Sequence, residues 1–104
     1  METKPTPAQA LIRLRLDADL APDLPDAIEQ AHAEAVKYLD GKLYADESEV
    51  IQAADVKGIV VSADIINAQL LLVDAALGNN ALQDRESKRT TAFTILRRHR
   101  NMGA

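Results

Sequence analysis

His32 and His99 are the only imidazoles in this 104-residue chain, and it has no cysteine. Thiolate and disulfide chemistry are therefore excluded. The two histidines fall on different predicted helices, with no obvious partner constellation. Neither has a serine, aspartate or glutamate at the spacing of a nucleophile with its base. No glycine-rich run is present to cradle a phosphate. Four acids, Asp17, Asp19, Asp23 and Asp26, lie close together. A calcium loop needs alternating carboxylates, a turn glycine and a closing bidentate glutamate. Here there is no glycine and Pro22 intervenes, so these acids read as helix caps and solvated charge. The expectation is a protein without catalytic residues, metal or cofactor.

The charges that remain are arranged by sign. From Arg85 to Ala104 there are six Lys/Arg and one acid, a net of +5, whereas residues 1–84 carry six Lys/Arg against fifteen Asp/Glu, a net of −9. A chain so divided can draw a polyanion to its basic end or set that end against the acidic body of a neighbouring copy. Clustered Lys/Arg suffice for phosphate contacts, so duplex DNA is one candidate ligand. The net charge of −4 argues mildly against it. The candidate interface residues are Arg89, Arg97, Arg98 and Arg100 on the basic side. On the acidic side they are Asp26, Glu29 and Glu34, with Asp40 on the same helix.

The elements that must position these groups are helical. At this length the chain is one domain. Its apolar content is mostly Ala, Leu, Ile and Val, and its aromatics are only Tyr38, Tyr44 and Phe93; such a composition favours helix. Thr6-Pro7 starts a short helix to Leu16, with Leu11, Ile12 and Leu16 near one face. Asp23 caps a second helix over 24–40, where Leu24, Ile28, Ala31, Ala35 and Tyr38/Leu39 follow the 3.6-residue period and Gly41 stops it. Lys42–Tyr44 reads as a connector. A short helix carries Val50, Ile51 and Ala54, and Gly58 ends it. Ile59-Val60-Val61 is read as an extended lead-in without a strand partner.

Ser62 then caps a helix to Leu77 that is apolar on nearly every face. Such a helix must be surrounded, and a domain this small is expected to need partner subunits to do it. Gly78-Asn79-Asn80 breaks it. Residues 81–89 are polar and read as a mobile loop. Thr90 or Thr91 caps a last helix that turns Ala92, Phe93, Ile95 and Leu96 inward and ends in Arg97-Arg98-His99-Arg100. A helix-turn-helix is disfavoured because the linker before that last helix is long and its N-terminal part apolar. Residues 1–6 and 101–104 read as flexible. Residues 1–7 lack the apolar core of a signal peptide, and the stretch 65–77 is too short and polar to span a bilayer.

In this order the segments resemble the small head–tail connector (adaptor) proteins of long-tailed bacteriophages and prophages. Leu11-Ile12-Arg13-Leu14-Arg15-Leu16-Asp17 is similar to that family's opening helix, and Leu24 to Leu39 to its long helix ending in Tyr-Leu. Ile65-Ile66-Asn67-Ala68-Gln69-Leu70-Leu71-Leu72-Val73 is similar to its central helix. Ile95-Leu96-Arg97-Arg98-His99-Arg100 is near its closing phrase, with His99 where Tyr is usual. The resemblance covers about Ala8 to Arg100. It implies a non-enzymatic virion protein at the head–tail junction. That protein assembles as a ring of roughly a dozen copies under the portal, continues the DNA channel and receives tail-completion proteins. The expected fold is all-α, one domain of four to five helices, with 24–40 and 62–77 as a central antiparallel pair flanked by the first and last helices. The alternative function is a small DNA-binding or regulatory helical protein.

Overall fold

The computed structural model describes residues 3–16, 18–78 and 81–100. The acid Asp17, the Asn79-Asn80 break and the 101–104 tail therefore lie outside the described residues. Helix α1 is Pro7–Leu14. The Thr6 hydroxyl accepts from the Gln9 amide at 3.2 Å and the Gln9 side chain accepts from the Thr6 amide at 3.0 Å, a reciprocal cap behind Pro7. Arg15, in left-handed conformation, ends the helix two residues earlier than expected. Ile12 is not on the packed face: Ala10, Leu11 and Leu14 face the core, and Ile12, on the other side of the helix, is 76% exposed.

A 3-10 turn over Ala18–Asp23 leads into helix α2, Leu24–Leu39. Asp23 makes no side-chain cap. The buried residues Leu24, Ala27, Ile28, Ala31, Ala35 and Leu39 trace the periodic face read from the sequence. The left-handed residue at the end of α2 is Asp40 (φ 57°) rather than Gly41. The amides of Asp40 and Gly41 donate to the carbonyls of Lys37 and Val36, which closes the last turn.

Lys42–Tyr44 turned out to be the missing partner of Ile59–Val61. Strand β1 (Leu43–Tyr44) pairs in parallel with β2 (Ile59–Val60), Leu43 opposite Ile59 and Tyr44 opposite Val60. The Ile59 amide donates to the Lys42 carbonyl, and the Val61 amide to that of Tyr44, both at 2.9 Å. A parallel pair needs a crossover, and helix α3, Glu47–Ala53, supplies it. Two-residue strands are too short to show a period of two, which is why the pairing was not readable. The expected short helix is present, but α3 buries no residue, and Ile51 points into solvent.

Helix α4, Ala63–Leu77, and helix α5, Leu82–Arg97, complete the fold. The expected loop over 81–89 is helical. Nothing from Ala81 to Arg98 is Gly or Pro, and polarity alone does not break a helix. Thr90 and Thr91 are not caps: the Thr91 hydroxyl donates back to the Ser87 carbonyl, and the Thr90 carbonyl accepts from Thr94. Lys88 bridges Asp74 at 2.7 Å and His99 meets Asp64 at 2.7 Å, so α4 and α5 run antiparallel. Glu34 meets Arg89 and Tyr38 meets Phe93, so α2 runs parallel to α5 and antiparallel to α4. The expected antiparallel pair is present, but α5 is the main neighbour of α4 rather than a flank.

The apolar α4 is enclosed by its own chain. Ile65, Ile66, Ala68, Leu70, Leu72, Val73 and Ala75 are all buried, so no partner subunit is needed to cover them. Burying each large aliphatic contributes about 1.5–3 kcal/mol. Gln69, the one buried polar side chain among the described residues, fastens the N-terminal segment. Its Nε2 donates to the Thr3 carbonyl at 2.9 Å, which leaves Oε1 to accept from His32 Nδ1 at 3.1 Å and fixes that histidine's tautomer. Pro5 is buried and Lys4 is paired to Glu29, so residues 3–6 lie packed against the helices.

Candidate interaction surface at the α2–α5 groove and the end of α5

Because α2 and α5 are parallel and in register, two i, i+4 pairs meet: Glu34 and Tyr38 on one helix, Arg89 and Phe93 on the other. Arg89 donates to Glu34 through both terminal nitrogens, at 2.7 and 3.4 Å. This hydrogen-bonded carboxylate raises the Arg89 pKa further. The Tyr38 and Phe93 rings lie 4.9 Å apart and tilted by 51°. Arg89 sits over Phe93 at 5.4 Å and Arg100 over Tyr38 at 4.9 Å, contacts of about 0.5–1 kcal/mol each at exposed sites. Glu34, Lys37, Tyr38 and Phe93 line an open groove of about 390 Å³.

Three of the interface residues predicted from sequence, Glu34, Arg89 and Arg100, are thus brought together, but by contacts within one chain. Glu29 is paired with Lys4, which holds its carboxyl below the usual range, and Asp40 is paired with Lys57. Most of the acidic face of α2 is therefore already matched by its own chain. Asp26 stands exposed in the first turn of α2 with no ion pair among the described residues. Arg97 and Arg98 end α5 exposed, likewise without an ion pair, where cations suit the helix dipole. Since α2 and α5 are parallel, Asp26 and the Arg97-Arg98 pair stand at opposite ends of the bundle.

Sequence reasoning left both histidines without partners. His99 Nε2 lies 2.7 Å from Asp64 Oδ2, joining the end of α5 to the start of α4. That hydrogen bond, with another from Ser62, lowers the Asp64 pKa. Ser62 spends its hydroxyl on Asp64 instead of capping the backbone. Both histidine pairings join residues more than thirty positions apart, so no local spacing could signal them.

The linker objection to a helix-turn-helix does not hold, since only residues 78–81 join α4 to α5, and the first half of α5 is polar. What separates the pair from that motif is its antiparallel course; helix-turn-helix pairs cross steeply. No group of three or more His, Cys, Asp or Glu among the described residues is placed to hold a metal, and no described helix is long and apolar enough to cross a membrane. The surface offers exposed arginines, two partly exposed aromatic rings and an open groove. No protein-family model matches the sequence, and no curated protein or solved structure matches it.

Proposed function

We propose that this chain is a head–tail connector subunit of a tailed phage or prophage. It would stand in a ring between portal and tail, continue the DNA channel and receive tail-completion proteins. The observation that carries the reading is the fall of the four connector-like phrases, in chain order, on four of the five α-helices of an all-α domain. The first lies on α1 and its end, the second on α2, the third within α4 and the fourth at the end of α5. The enclosed α4 lends no support to a ring, and the in-chain pairing of Glu29, Glu34 and Arg89 narrows the contact residues. Asp26, Arg97 and Arg98 remain without an ion pair among the described residues, and the two arginines are free to meet the portal, a neighbouring subunit or the phosphates of DNA in the channel.

The test is charge reversal at Arg97 and Arg98. In a phage carrying R97E/R98E, heads and tails are expected to accumulate unjoined. Normal yields of tailed particles would remove the basic end from the account.

A DNA-binding role is the second reading, favoured by the same unpaired arginines. Its mark is duplex affinity that falls steeply with salt, by roughly one power of salt concentration per phosphate contact. Salt-insensitive or absent binding excludes it.

A further inference from the structure

We infer that α1 of one copy docks on the α3–β2 hook of a second copy, with Ile12 and Arg15 on one side and Glu47, Ile51 and Val56 on the other. The contact rests on the connector reading only for its biological use, because it would be the joint between ring neighbours; the side chains argue for it by themselves.

Large aliphatics are costly to leave in water, and most of those exposed among the described residues fall on two segments, α1 and the α3–β2 hook. Ile12 on α1 is 76% exposed; Ile51 on α3 is 71% exposed, Val56 after it 99%, and Val60 on β2 is partly exposed too. Nothing within the monomer uses them. The patches differ in sign. From Thr3 to Leu16 there is no acid, and Arg13 and Arg15 flank Ile12. From Ala45 to Val56 there is no cation, and Asp46, Glu47, Glu49 and Asp55 are sequence neighbours of Ile51. On α3 Glu47 stands one turn before Ile51, and Arg15 follows Ile12 at the end of α1. Neither Arg15 nor Glu47 has an ion pair among the described residues.

The hook is presented rigidly. Tyr44 donates to Asp55 at 2.8 Å, Asp55 accepts the Lys57 amide at 3.0 Å, and a Cβ at Gly58 would lie 2.9 Å from the Tyr44 ring. Lys57 is drawn off to Asp40, away from a role as counter-charge to Glu47. A rigid, pre-shaped patch loses little entropy on docking. Like patches repel, so α1 does not meet α1 and the hook does not meet the hook. Unlike patches attract, so α1 of one copy meets the hook of another, and the contact is either returned across a two-fold axis or repeated from copy to copy into a ring or a filament.

The test uses two variants and their mixture. I12D/R15E breaks the α1 patch, and I51D/V56D breaks the hook; all four side chains are exposed, and circular dichroism checks that each variant folds. In sedimentation velocity the wild-type mass is expected to rise with concentration. Each variant alone is expected to stay monomeric. Their equimolar mixture is expected to form a 1:1 complex and stop there, since one good patch of each kind remains. The inference is overturned if the wild type is monomeric up to about 1 mM, the weak end of specific association, or if either variant assembles like the wild type. A mixture that stays monomeric overturns it as well. These readings come from purified protein alone. Failure here leaves head–tail joining through Arg97 and Arg98 standing, and failure of that joining leaves this contact standing.

Discussion

Replacing Gln69 by leucine tests whether a buried amide holds the N-terminal segment to the helical core. Gln69 is 0% exposed and makes two hydrogen bonds, to the Thr3 carbonyl at 2.9 Å and with His32 Nδ1 at 3.1 Å. Leucine keeps most of the volume, so the cavity contribution is small. It leaves both partners, each partly buried, without their bond, at about 1 kcal/mol apiece. The expected loss for Gln69→Leu is about 2 kcal/mol, or a fall in Tm of roughly 10 °C for a domain this size. Gln69→Ala adds a cavity and should cost about 4 kcal/mol. Urea unfolding at unchanged m-value measures the loss. In the Q69L background, His32→Ala should cost about 1 kcal/mol less than in the wild type, because its partner is already gone. Hydrogen exchange should quicken first around Thr6 to Ala10, where the strap joins α1. A Q69L variant as stable as the wild type, or more so, would refute the claim that this amide fastens residues 3–6.

Ala54 holds φ 51° at the end of α3, a conformation that costs a side chain bearing Cβ roughly 1–2 kcal/mol, so Ala54→Gly should stabilise by about 1 kcal/mol in thermal unfolding. Gly58→Ala should do the reverse, losing about 1–3 kcal/mol, because its Cβ would meet Tyr44 at 2.9 Å and Val50 at 3.0 Å. Asp64 has a pKa lowered chiefly by His99 and then by Ser62. A depressed carboxylate contributes stability that is present above the ordinary carboxylate range, about pH 4, and lost as pH falls through its folded value. Asp64→Asn should therefore lose less stability than the wild type between about pH 4 and pH 2, as followed by urea midpoints; equal losses in both would remove Asp64 from the acid sensitivity.

The long-period features of this fold were legible, and the short or polar ones were not. The buried stripe of α2 and the apolar run of α4 are strong local signals, and both helices begin and end within a residue or two of expectation. The first half of α5 was read as a loop because it has no apolar period. It has no Gly or Pro to break a helix, and Lys88 and Arg89 pair with Asp74 and Glu34 from other helices. The β1–β2 ladder is two residues long, below the length at which alternation means anything. The helix most suggestive of partners, α4, is covered at home by α5, whose length the sequence reading had halved. For the candidate surface, residue type marked the charges correctly as exposed or partly exposed. It did not reveal that Glu34 and Arg89 satisfy each other, since they lie 55 residues apart. Ile12, whose spacing sets it with Leu11 and Leu16, and Ile51 on the short α3 are both exposed, and they carry the proposed self-contact.

The central proposal, that the chain joins heads to tails, is tested most directly by removing it. Electron microscopy of lysates from a particle-producing phage that encodes the chain, with its gene deleted, should show DNA-filled heads and separate tails, and adding the purified protein should restore joined particles. Tailed particles formed in normal numbers without it would contradict the account.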